Sequence, residues 1–178
     1  MRNLIYSMSV SLDGYINGPD GSFDWSAPDE ELHRFHNERV LAQSAQLLGR
    51  RLYETMVYWE REDDSRDAVA REFAEIWRAL PKIVFSTTLQ SVEGNTRLAT
   101  GSVADELARL DGDVGVGGAG LAASCIDLID DFRPFVNPVI VGGGTPFLPP
   151  RDDRIDLELV ESRPFGSRVT YLRYRRAH

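Results

Sequence analysis

Four glycines fall within six residues at Gly115-Val116-Gly117-Gly118-Ala119-Gly120, followed by Leu121. The run follows an apolar strand-like stretch from Asp113 to Val116 and opens a helical pattern reaching to about Ile129. A G-x-G-x-x-G turn between strand and helix makes an α/β arrangement the natural reading. Its bare backbone can bring amide groups against a pyrophosphate at a helix start. The same glycines would also serve tight strand–helix packing, so the motif alone leaves both roles open. A full two-half dinucleotide-binding fold does not follow. No acidic residue stands near position 140 to meet a ribose, and too little chain remains for a second half.

The rest of the chain supplies matching elements. Leu4, Tyr6, Met8, Val10 and Leu12 share one parity and Ser7, Ser9 and Ser11 the other, the pattern of a strand. Asp13-Gly14, Asn17-Gly18 and Asp20-Gly21 then mark a long early loop. Helical spacing runs from Pro28 to Ala45, with acids in its first turn, and from Asp67 to Leu80. A strand-like stretch before Gly49 leads into a short helix, and Lys82 to Phe85 reads as another strand. Ser102 and Asp105 form a capping box. Phe135 to Val141 is strand-like, and the alternating tail around Pro164 and Gly166-Ser167 predicts an antiparallel hairpin. The expectation is one α/β domain over 1–178, with a mostly parallel sheet and an antiparallel edge.

Composition narrows the partners. The formal charge of -8 disfavours nucleic acid, whose phosphates reward basic surfaces. No apolar run is long enough to span a bilayer, and the N-terminal segment lacks the pattern of a secretion signal. The single cysteine, Cys125, allows no internal disulfide, which fits the cytoplasm. His33 and His36 could share a helix face with Glu30, but no further ligand has metal-site spacing, so no metal is expected. No G-x-S-x-G nucleophile turn is present, and His178 ends the chain.

Three further groups could carry chemistry. Gly49-Arg50-Arg51 joins backbone amides to paired guanidinium groups, a combination suited to a phosphate monoester. Ser86 and Thr87 follow a strand, where hydroxyls can hold a ribose or simply cap a turn. Trp25 offers an aromatic wall for a flat heterocycle, with Asp29, Glu30 and Glu31 as carboxylates close by. Dipole capping accounts equally for those acids, and turn formation for Asp13.

The order of these pieces resembles the dihydrofolate reductase-like superfamily. It is most similar to the reductase domain of the bifunctional deaminase–reductase of riboflavin biosynthesis and its stand-alone relatives. The resemblance rests on Ser11-Leu12-Asp13-Gly14-Tyr15-Ile16, Gly49-Arg50-Arg51-Leu52-Tyr53-Glu54, Val116-Gly117-Gly118-Ala119-Gly120, and Ile129 to Arg133 through Pro138 to Gly144. It implies about eight strands with helices on both faces and NADPH across the strand ends. Gly49, Arg50 and Arg51 would approach the cofactor phosphates, and Ser86 and Thr87 the adenosine ribose and its 2′-phosphate. Gly117, Gly118, Ala119 and Gly120, with Leu121 behind them, would cradle the pyrophosphate. Ser9 and Ile16 would lie by the nicotinamide under a lid from Asn17 to Trp25. Glu30, with Asp29 beside it, would be the acidic substrate contact, and Asp13 would face the substrate. The substrate would be a small pyrimidine- or pterin-like heterocycle. No basic residue is assigned to a substrate phosphate. Relatives are commonly homodimers, to which Phe135–Val141 would contribute. The alternatives are dihydrofolate reduction and a non-catalytic nucleotide- or pterin-binding homodimeric module.

Overall fold

The computed structural model describes residues 2–177; His178 lies outside them. Eight strands form one sheet: β1 (Leu4–Ser11), β2 (Ala45–Gly49), β3 (Lys82–Phe85), β4 (Thr96–Leu98), β5 (Val114–Gly117), β6 (Asp131–Asn137), β7 (Leu157–Pro164) and β8 (Thr170–Arg176). Their order is β4-β3-β2-β5-β1-β6-β8-β7. The first six in that order pair in parallel, and β8 and β7 add an antiparallel edge. The helices are α1 (Glu30–Leu41), α2 (Arg50–Met56), α3 (Ala68–Ala79), α4 (Val103–Ala108) and α5 (Ala119–Ser124). Among the described residues no helix is long and apolar enough to cross a membrane.

Strand alternation sends two sets of side chains to opposite faces. Leu4, Tyr6 and Val10 join Leu47, Ile83, Val116 and Phe132 in the core that α4 and α5 cover through Val103, Leu107 and Ala122. Leu48, Val84 and Phe135 point the other way. There α2 and α3 contribute Tyr53, Phe73 and Trp77, and α1 contributes Leu32 and Phe35. The dihydrofolate reductase-like α/β sheet, with its antiparallel hairpin and helices on both faces, is therefore observed.

Several boundaries move. The first helix starts at Glu30 because the Asp29 carboxylate caps it, accepting from the Leu32 amide at 2.9 Å. It stops at Leu41, and Ala45 already belongs to β2. The helix after the glycines is only six residues long and passes into a 3-10 turn at Ile126–Leu128. The strand expected over Phe135–Val141 is Asp131–Asn137. It lies between β1 and β8, with both edges paired and Phe135 buried. It has no free edge for pairing with another strand, while Ile140 in the loop that follows it is exposed.

Candidate functional site

The two glycine-bearing turns meet at the carboxyl ends of neighbouring strands. β2 pairs with β5 so that Leu48 lies opposite Gly117. The next residues, Gly49-Arg50 and Gly118-Ala119, therefore turn into α2 and α5 side by side. Gly118 has φ 97° and precedes α5, a left-handed conformation that a side chain disfavours. A Cβ on it would stand 3.6 Å from the Gly49 nitrogen, so the two turns touch.

A cavity of about 840 Å³ opens beside this contact. It brings together Arg50, Ser86, Thr87 and Leu121 of the expected set. Arg50 is half-exposed and holds Glu54 at 3.2 Å. Ser86 lines the cavity and also caps a turn, since its hydroxyl accepts from the amides of Thr88 and Leu89 at 3.1 and 3.0 Å. Both readings of that hydroxyl thus hold together. Arg51 is exposed and is not among the lining residues. The far wall was not anticipated. It is Gly101, Ser102 and Ala104, where the capping box starts α4. The sequence announced that helix start, yet nothing in it said which turn it would face.

At the carboxyl ends of the neighbouring strands β1 and β6 lies a platform stitched from two loops. The amide of Leu12 donates to Val139 O at 2.8 Å, Ile16 to Thr145 O at 2.9 Å, and Phe147 to Gly14 O at 2.9 Å. Thr145 donates to the Asn17 side chain at 2.9 Å. The Asp13 carboxylate accepts from Val141 and Gly142 at 3.1 and 2.8 Å. The Ser11 hydroxyl first, then these amides, hold its pKa below the usual carboxylate range. Gly144, at φ 125°, passes so close that a Cβ would fall 2.1 Å from Asn17 O. Asn17, the start of the expected lid, is thus tied down.

Ser9 is partly buried and pairs in register with Phe135. Trp25 closes the early loop on a 3-10 turn, with its indole N–H sealed and without a partner among the described residues. The three acids after it have local partners. Asp29 caps α1, the exposed Glu30 holds Arg34 at 2.6 Å, and Glu31 stands 3.6 Å from Arg163. None of the three lines the cavity. On α1, His33 faces Trp59 and Phe73, while His36 lies with its ring centroid 4.2 Å from that of Phe135. Among the described residues no group of three or more metal-type side chains is assembled.

Comparison with known proteins places this geometry. The chain is 28% identical over 182 residues to the Bacillus subtilis protein YyaP, covering 97% of this chain and 94% of that one. It superposes on a deaminase/5-amino-6-(5-phosphoribosylamino)uracil reductase from Thermotoga maritima with a TM-score of 0.69 at 17% identity, over 99% of this chain and 57% of the other. A dihydrofolate reductase from Enterococcus faecalis, complexed with NADP(H) and RAB-propyl, gives a TM-score of 0.66 at 19% identity, over 99% and 97%. These likenesses establish the fold. The family described as the RibD C-terminal domain matches residues 2–171. A match of that extent, on a sheet whose strand ends bring both glycine-bearing turns together, means that this chain belongs to the RibD C-terminal domain family.

Proposed function

We propose that the chain is an NADPH-dependent reductase of a pyrimidine- or pterin-like small molecule. The observation that carries this reading is the contact of Gly118 with Gly49 beside the cavity that Arg50 lines. A single dinucleotide could there meet bare amides, a guanidinium group and the Ser86 and Thr87 hydroxyls. The fit is chemical: forked donors suit a phosphate monoester, and hydroxyls at a strand end suit a ribose. Membership of the family and the NADP(H) bound to the Enterococcus enzyme support the same cofactor.

The cofactor would supply a hydride, and the protein's part is to bind and orient. Gly117, Gly118, Ala119 and Gly120 would hold the pyrophosphate. Ser9 and Ile16 would border the nicotinamide, with Asp13 fixing the loop around it. Positioning of two reactants is itself a large part of catalysis. Glu30 would have to leave Arg34 to reach an acceptor, which is an argument for ordered water as the proton source.

The partners already held by Asp29, Glu30 and Glu31 favour a second reading, a binding module without turnover. Thermal unfolding with NADPH and NADH, followed by absorbance at the reduced-nicotinamide band, separates the two. Selective protection by NADPH with loss of absorbance on adding dihydrofolate or an aminouracil supports the reductase. Protection without oxidation supports the module, and equal indifference to both nucleotides removes the cofactor site.

A further inference from the structure

On the sheet face that carries α1, α2 and α3, the apolar core comes in two separate parts. One lies under α1 and includes Leu32, Phe35 and Phe135. The other joins α2 and α3 through Tyr53, Phe73 and Trp77. Between them runs β1, whose residues of that parity are Ile5, Ser7, Ser9 and Ser11; over β5, the side chains of Gln43, Gln46 and Leu52 fill the room above Gly115 and Gly117. Ile5 and Ser11 are buried, so what remains between the two packed regions is a short polar stretch of β1. Ser7 and Ser9 are only partly buried in it.

His36 stands on α1 beside this stretch. Its ring lies against Phe135, and Phe135 is the register partner of Ser9. Among the described residues neither ring nitrogen has a hydrogen-bonding partner, and neither belongs to the sealed, unsatisfied atoms of the interior. The ring is partly buried, and its nitrogens are left for a polar group that reaches it.

We propose that the imidazole of His36 is the hydrogen-bonding contact that α1 offers to the acceptor, meeting the amide edge of a uracil- or pterin-type ring seated beside Ser9. This deepens the reductase reading, on which the placement of the nicotinamide near Ser9 rests. Burial, and then His33, push the His36 pKa down to about 4, so the ring is uncharged at neutral pH. A neutral imidazole presents one N–H and one bare nitrogen. That pair matches the alternating donors and acceptors of a pyrimidine edge and gives a phosphate or carboxylate no counter-charge.

The test uses the full chain with 5-aminouracil and 6-methylpterin as probes, with and without saturating NADPH. Histidine ring resonances are followed by NMR, assigned through His33 and His36 variants. One of the probes is expected to bind and to move the His36 signals more than those of His33. His36→Leu, which keeps an apolar contact with Phe135, should weaken that probe by about tenfold while leaving NADPH affinity unchanged. His36→Asn, which restores a donor and an acceptor, should recover most of the loss and stands in if the leucine variant does not fold. Equal probe affinity in wild type and His36→Leu overturns the proposal. So does binding that leaves the His36 signals still, or no binding of either probe. A wild type that ignores NADPH fails the reductase reading separately, and the titrations without nucleotide still decide for or against His36.

Discussion

Gly142 donates its backbone N–H to the Asp13 carboxylate across 2.8 Å, with Val141 adding a second amide at 3.1 Å. The end of β1 is thereby clamped to the loop that follows β6. Because the folded pKa is lowered, the clamp stabilises the fold above the unfolded value and is lost as pH falls through the folded one. At neutral pH, Asp13→Ala should reduce hydrogen-exchange protection of the Val141 and Gly142 amides. Wild type should approach the variant as the solution becomes acidic. Unchanged protection in the variant would show that other contacts hold this loop.

Among the described residues the Arg50 guanidinium hydrogen-bonds to Glu54 alone, four residues on, an exposed pair worth about 0.3 kcal/mol. Arg50→Ala should therefore melt almost as wild type does. Its NADPH affinity should fall by about 2 kcal/mol, close to thirtyfold, while NADH changes little. Fluorescence titration of both nucleotides checks this. Parallel losses would take Arg50 away from the 2′-phosphate.

Two glycine substitutions should differ in kind. A Cβ at Gly118 meets only ordinary contacts at 3.6 Å, so Gly118→Ala pays backbone strain of about 1 kcal/mol. At Gly144 the same atom would strike the Asn17 carbonyl oxygen, part of the backbone that cannot swing aside. Urea denaturation should rank Gly144→Ala as the more damaging. The opposite ranking would mean that the Asn17 loop yields easily.

Glu106 is fully buried and takes Arg97 at 2.6 Å and the Thr100 amide at 2.8 Å. Chiefly through the Arg97 hydrogen bond, its pKa is held at about 2 against an ordinary 4.5. A depressed carboxylate stabilises the fold above its unfolded pKa, so this contribution should drain away between about pH 4.5 and pH 2. Glu106→Gln should cost about 2 kcal/mol at neutral pH, because Arg97 is half in water and recovers part of its solvation. Its melting temperature should also vary less than that of wild type across the acid window. Curves that stay parallel would exclude Glu106 as a source of the acid sensitivity.

What could be read from the sequence was local. The β1 alternation, the helix after Asp67, the Ser102 cap, the glycine turn and the terminal hairpin all lie where their residues place them. β6 was misplaced because Asp131 and Arg133 look too charged for a buried strand. They are accommodated because Asp131 binds Arg133 at 2.7 Å and Arg173 at 2.8 Å, a partner forty-two positions away. The three-residue β4 carries too little pattern to stand out and exists by pairing with β3. The candidate site divides in the same way. Arg50 and the glycines were recognisable by type. The wall at Gly101–Ala104 and the partners of the acid run depend on contacts that only the folded chain makes.

The position of β1 in the sheet bears on how the molecule is made. Its two neighbours, β5 and β6, lie more than a hundred residues downstream, with Leu4 opposite Val114 and Ile5 opposite Asp131. During synthesis, which adds about 5–20 residues per second, this strand would wait several seconds with both edges bare. The middle of the sheet thus depends on pairings of high sequence separation, which slow assembly and leave strand edges open to aggregation until the later strands arrive.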